Sequence, residues 1–384
     1  MEKFSAWRDP GTGVQASVPF LTPVPPQSTK SLADYGAAAF GIVFGVFRSI
    51  LALILLALFV AFHLVCVLLL PIPPLHRFFS WLVIAILGRI FLCLLGFWSI
   101  STYVASRKNR RADTATSDDW SPGPGDIIVS NWASWIEVLW LAVRYNPQFV
   151  LPVCASPTLS ATQTTAPATP GRRTGTGSAQ VSTASAARRQ QILGFRTASL
   201  LEMILATGHV PPYGSSTSTV MATIEDIRAQ CDRPLVVLPE CTTSNGRALI
   251  RFADVFVAGK GKHIKHPVKG FKMYIMCARY ALFPNGCAAS GFNDRIRQLL
   301  TLLSSFSPLL SHNLSIRLVA PSDSPSSGSF MASEVILDNG IAPADEISEA
   351  CAVLMAQASK LKRVGMGWED KAAFLDFYRK RKSL

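Results

Sequence analysis

Two short stretches hold the residues whose types and spacing could do chemistry. The first, SNWASWIEVLW (Ser130–Trp140), follows the apolar run DIIV and places a carboxylate, Glu137, five residues after Trp132. The second, PLVVLPECTTSNGRALIRF (Pro234–Phe252), ends a β-branched run in Glu240 and opens into Thr242, Thr243, Asn245, Gly246 and Arg247. A carboxylate, hydroxyls and a guanidinium thus gather at the carboxyl end of a presumed parallel strand, where open α/β sheets bind ligands. Trp132 stands where a proton acceptor is expected, yet an indole N–H only donates. None of the six histidines has an Asp or Glu five residues on, so the chain holds no second copy of that spacing.

Each candidate has a structural role beside the chemical one. Ser134-Trp-Ile-Glu137 fits the S-x-x-E capping box, in which Ser and Glu satisfy the open N–H groups of a helix start. A base role for Glu137 needs its pKa raised by burial beside Trp132 and Trp135. Glu240 and Arg247 can equally form a loop-stabilising ion pair. Cys241 reads as a buried, inert thiol. KGKHIKHPVKGFK (Lys260–Lys272), with five lysines and no acid, suits a phosphate, an anionic headgroup or solvent.

The elements that must position these groups follow from the hydrophobic pattern. DIIV, FVLPV, PLVVLPE and SIRLVAP read as strands, and IEVLWLAVRY and EDIRAQC as helices. That alternation predicts an α/β domain with a largely parallel sheet flanked by helices, over residues 106–384. Within it, 155–190 is a low-complexity polar insert read as disordered. Upstream, 22 residues from Ser49 to Leu70 carry no Asp, Glu, Lys or Arg, enough to cross about 30 Å of hydrocarbon as a helix. A second oily stretch after PIPPLHR is interrupted only by Arg89, which predicts a membrane helical hairpin over 35–105. Residues 1–34, rich in Pro, Ser and Thr, read as a disordered tail. The basic flank SRKNRR (Ser106–Arg111) places the domain in the cytosol, and either a full span or a one-leaflet hairpin fits the turn.

Composition agrees with a membrane-bound chain. Of 384 residues, 49% are hydrophobic and 16% charged, with a mean hydropathy of +0.30, which is too apolar for an ordinary soluble protein. Lys plus Arg exceed Asp plus Glu by 37 to 24, favouring anionic partners. No zinc-finger, RRM or KH signature is present, which disfavours nucleic acid. The cysteines show no CxxC pair or zinc spacing and read as reduced thiols.

SNWASWIE and VVLPECTTSNGR, in this order, resemble the first and third blocks of PlsC-type glycerolipid acyltransferases, NHxxxxD and FPEGTTSNG. The continuation, SIRLVAPSDSPS and then VILDNGIAPADEISEACAVLMAQASKLKRVGMGWEDKAAFLDFYRKRK, is similar to fungal lysophosphatidic acid:oleoyl-CoA acyltransferases. The resemblance spans roughly Asp126–Lys382 apart from the insert. It implies the glycerolipid acyltransferase fold and acyl transfer from acyl-CoA, a co-substrate rather than a cofactor, to lysophosphatidic acid or a related lysophospholipid. It also implies a seat in the endoplasmic reticulum membrane or on lipid droplets. In that family a His acts as general base on the acceptor hydroxyl, a contribution of roughly 10²–10⁴-fold, and an Asp orients it. By position Trp132 falls on the His and Glu137 on the Asp. Glu240, Thr242, Thr243, Asn245, Gly246 and Arg247 fall on acceptor-binding positions, with no metal implied. The rival reading is a non-catalytic relative that binds lipid or organises a membrane.

Overall fold

A computed structural model of the chain describes residues 7–9, 11–17, 32–69, 71–106, 120–154, 190–213, 223–257, 268, 270–280, 292–304, 314–336 and 344–382. Residues 155–189 of the predicted insert, and residues 260–267 and 269 of the Lys260–Lys272 run, lie outside them.

Two long apolar helices come first, α1 (Leu32–Val67) and α2 (Pro73–Leu94). A proline opens α2, where its missing N–H is not needed. Phe40–Val67 and Pro74–Leu94 are long and apolar enough to cross a membrane. Their packing on the rest of the chain depends on glycine. A Cβ at Gly45 would stand 2.9 Å from the Ser304 backbone, and one at Gly88 2.6 Å from Val143. Arg77, just past the proline turn, forms an ion pair with Asp232 of the following domain.

The domain is built on a seven-stranded mixed sheet ordered β1-β8-β7-β2-β5-β3-β4. Its strands are β1 (Ser101–Ala105), β2 (Ile127–Ser130), β3 (Gln148–Cys154), β4 (Ile192–Ala198), β5 (Leu235–Val237), β7 (Met273–Tyr280) and β8 (Leu314–Val319), while β6 (Ala248–Leu249) pairs outside the sheet. Four neighbouring pairs are parallel and two, β3–β4 and β7–β8, are antiparallel. The sheet is therefore mostly parallel, as its sequence predicts. The central strands are buried on both faces, and alternate residues serve two cores. Ile127, Val129, Leu235 and Val237 face one, and Ile128 and Val236 the other.

Helices cover both cores: α3 (Trp135–Tyr145), α4 (Leu200–Ala206), α5 (Ile224–Gln230), α6 (Phe292–Ser304), α7 (Ala332–Val335), α8 (Glu346–Ser359) and α9 (Trp368–Lys382). The helix α8 packs against β7 and β8, and α2 lies against α3. A short β9 (Lys362–Arg363) pairs with β6.

Two boundaries differ from the sequence expectation. Ser101–Ala105, expected in the hairpin, is an edge strand of the sheet, with Thr102 opposite Ile316. The predicted tail of residues 1–34 includes a segment seated on the domain. Ala16 packs with Ala248, Ile250, Val364 and Met366, and the Gly365 N–H donates to Asp9 Oδ1 at 3.0 Å. Its polar composition hides this because the segment is held by hydrogen bonds and by a few scattered apolar side chains, Trp7, Val14 and Ala16, that show no periodicity. Leu32–Asp34, also expected in the tail, already belong to α1.

Candidate functional site

Because β2 and β5 run parallel, with Val129 opposite Val237, the turns that follow them leave the sheet at the same edge. Position in the sheet alone therefore brings the two sequence blocks together. The contact between them is made by main chain and carboxylates. The Trp132 N–H donates to Glu240 Oε2 at 2.6 Å, and the Ser244 N–H donates to the Trp132 carbonyl at 2.7 Å. Glu240 Oε1 accepts from the Ile250 N–H at 3.0 Å. Asn131 adds a third stitch, exchanging hydrogen bonds with the Ala278 N–H and carbonyl at 2.7 and 3.1 Å.

Glu137 is completely buried at the start of α3. One oxygen accepts from the backbone N–H groups of Ala133 and of Ser134, the latter at 2.7 Å, while Ser134 Oγ accepts from the Ile136 N–H at 3.3 Å. The capping box is thus formed. The other oxygen meets the Tyr280 hydroxyl. Burial pushes the Glu137 carboxyl up to about 7 against the pull of these hydrogen bonds. Burial also pushes Glu240 up to about 8, with the nearby Glu137 charge adding to the rise and the Lys371 ammonium opposing it. Near neutral pH Glu240 therefore keeps a proton an exposed Glu would have lost, while Glu137 is divided between its acid and carboxylate forms.

Trp132 is wholly enclosed, with its ring centroid 6.3 Å from that of Tyr213. Its backbone works while its indole packs. In the second block, Thr242 Oγ1 donates to the His209 carbonyl at 2.9 Å. Lys371 Nζ donates to the Thr243 carbonyl and, at 2.9 Å, to its hydroxyl. The Asn245 N–H donates to the Ala16 carbonyl at 2.9 Å, and its Oδ1 accepts from the Arg247 N–H at 3.1 Å. Gly246 lies at φ 73°, a conformation open to glycine. Cys241, at φ 52°, occupies the same left-handed region at a cost. Burial pushes its thiol far above the ordinary range, which makes it inert.

The structure therefore gathers Trp132, Glu137, Glu240, Thr242, Thr243, Asn245 and Gly246, while Arg247 is exposed. The expectation that Glu240 touches a ligand meets a carboxylate with both oxygens committed to backbone donors. Its pairing with Arg247 meets the same obstacle. Tyr280, His209, Lys371 and Arg295 complete the surroundings, and sequence spacing could not find them. They arrive from β7, the α4–α5 connection, α9 and α6, none of them within either block.

Beside this edge lies an apolar cavity of about 340 Å³ between the hairpin and the domain. Its walls are Ala52, Leu56 and Phe59 of α1 and Phe91 of α2, with Trp135 and Leu139 of α3. Residues of α4 and α6 close it, Arg295 among them. Among the described residues no group of three or more His, Cys, Asp or Glu could hold a metal ion. The chain matches no protein-family model, no curated protein and no solved structure.

Proposed function

We propose that the protein is a membrane-anchored acyltransferase that moves a fatty acyl group from acyl-CoA to the free hydroxyl of lysophosphatidic acid or a related lysophospholipid. The observation that carries the reading is the apolar cavity between hairpin and domain. It is at the small end of the ~300–1,000 Å³ typical of ligand sites, a size suited to one acyl chain. Its α3 wall, Trp135 and Leu139, begins within the SNWASWIE stretch itself, so a chain held there ends beside the two blocks. The ion pair of Arg77 with Asp232 ties the hairpin turn to the domain, which supports a hairpin that enters and leaves one leaflet. The reading places the domain on the cytosolic face of the endoplasmic reticulum or of lipid droplets.

In this mechanism Glu137 takes the hydroxyl proton, assisted by Tyr280. A carboxyl raised to about 7 is matched to that work at neutral pH. The hydroxyl oxygen forms the new ester bond to the acyl carbon as the thioester C–S bond breaks, and the proton passes to the departing CoA thiolate. Trp132 and Glu240 hold the two turns in register.

A specific observation favours a second reading, a non-catalytic lipid-binding protein. The side chain at position 132 accepts no proton, and both Glu137 oxygens are engaged in the resting structure. Membranes carrying the wild type or Trp132→His, Glu137→Gln or Tyr280→Phe, given labelled oleoyl-CoA and a lysophospholipid panel, separate the two. Acyl transfer requires wild-type activity that falls about 10²–10⁴-fold in Glu137→Gln and less in Tyr280→Phe. Silence in the wild type with activity appearing only in Trp132→His establishes the non-catalytic reading.

A further inference from the structure

The apolar cavity ends in charge. Arg295 of α6 is part of its lining, and its guanidinium is fixed there by Nη1, which donates to the Ile204 carbonyl at 3.0 Å and to that of Leu205 at the end of α4. The same guanidinium reaches out of the cavity, with Nη2 3.0 Å from His209 Nε2. An arginine keeps its proton, so Nη2 is the donor and Nε2 the acceptor, which leaves His209 neutral with its proton on Nδ1. The charges acting on His209 are all cationic: Arg295 from α6, and Arg379 and Lys371 from α9. Beyond His209 the path continues into the second block, through the His209 carbonyl to Thr242 and through Thr243 to Lys371.

We propose that Arg295 and His209, with Arg379 and Lys371 behind them, form an anion subsite that takes the phosphomonoester head of a single-chain lipid whose tail fills the cavity. The proposal rests on the reading that the cavity holds an acyl chain. The guanidinium, held in place by the α4 carbonyls, offers a phosphate a fixed positive charge, and several converging cations favour a dianion over a single carboxylate charge. Partial burial, together with these cations, holds the free His209 imidazole below its ordinary range. A phosphate set among them cancels the repulsion and draws a proton onto His209. Head-group binding is therefore linked to proton uptake, a coupling that a merely structural Arg295–His209 contact would not produce.

Full-length protein in neutral-lipid nanodiscs, loaded with a fluorescent fatty-acyl probe, tests this by displacement with 1-oleoyl-lysophosphatidic acid, oleate and monoolein. The expected result is lysophosphatidic acid binding at least about tenfold tighter than monoolein. Arg295→Gln removes that preference, the loss falling on lysophosphatidic acid far more than on monoolein, whose retained binding also reports that the cavity remains folded. Arg379→Gln, on an exposed position of α9, weakens only the anionic lipid, by about threefold. In the wild type the preference follows pH through both His209 and the phosphate's own second ionisation at about pH 6, and in His209→Gln through the phosphate alone, so the two pH profiles differ. Equal losses for monoolein and lysophosphatidic acid in Arg295→Gln overturn the subsite, as does oleate binding as tightly as lysophosphatidic acid. If Arg295→Gln does not fold, an unchanged preference in Arg379→Gln together with a pH profile unaltered in His209→Gln overturns it. Failure of all three lipids to displace the probe, or of the probe to bind, sinks the acyl-chain cavity itself.

Discussion

Replacing Glu240 tests whether the site is built from carboxylates that organise backbone rather than bind ligand. Its side chain accepts from two buried N–H groups, those of Trp132 and Ile250. Glu240→Ala leaves both donors unpaired at about 1–3 kcal/mol each, so a loss of about 3–5 kcal/mol is expected once the vacated volume is added. Set against a total stability of roughly 5–15 kcal/mol, that is severe. Glu240→Gln keeps one acceptor and presents an amide NH₂ to the other donor, for a loss of about 1–3 kcal/mol. The pH dependence adds a sharper criterion. The folded protein holds the Glu240 proton up to about 8, whereas an unfolded chain releases it near its ordinary 4.5. Between those values the folded state binds more protons than the unfolded one, so the stability from this group is full at low pH and is lost as pH rises. The slope reaches up to about 1.4 kcal/mol per pH unit. Glutamine has no such slope, so the deficit of Glu240→Gln relative to the wild type should shrink from pH 5 towards pH 8. Chemical unfolding of full-length protein in detergent at several pH values measures it. A deficit that is constant or grows with pH would refute the buried, proton-retaining carboxyl.

Two further outcomes probe the frame around the site. Gly45→Val drives a side chain into the Ser304 backbone, where a Cβ already stands at 2.9 Å. It should cost about 1–3 kcal/mol by overpacking, more than the few tenths regained in helix propensity, and unfolding midpoints of the full-length chain read it directly. Cys241 should resist alkylation in the folded protein at neutral pH, since it is completely buried and its thiol is pushed far above the ordinary range. Mass spectrometry after brief iodoacetamide treatment would show modification of Cys241 only after unfolding.

Much of this frame was legible in the sequence because it depends on local pattern. DIIV and PLVVLPE became β2 and β5 through β-branched apolar runs, and Ser134 with Glu137, three residues on, announced the start of α3. The antiparallel edge was not legible. Strand β7 reads MYIMCARY, a run without charge up to Arg279 that a buried helix could equally carry, and its direction follows from pairing with β2 and β8 rather than from its own residues. The partners of the site lay further out of reach. Tyr280 sits 143 residues from Glu137, and Lys371 sits 128 from Thr243. No local spacing records such a contact, because the fold closes it only after the sheet has formed.

Trp132 shows why the turn persists without a base. The N–H of this residue serves Glu240 and its carbonyl receives Ser244, and every amino acid but proline supplies both groups. The stitch between the two blocks is therefore indifferent to whether position 132 carries an imidazole or an indole. The indole at position 132 accepts no proton, and its ring lies 6.3 Å from that of Tyr213. Among Trp132, Glu137 and Glu240, only the two carboxyls can move a proton, and Glu240 is bound on both oxygens by backbone donors from two separate turns. Freeing it would open the site. Glu137 is held by the backbone on one oxygen and by a single phenol on the other, so in the proposed mechanism a substrate hydroxyl takes the place of Tyr280 while the cap on α3 stays. On that proposal the asymmetry favours Glu137 over Glu240 as the base.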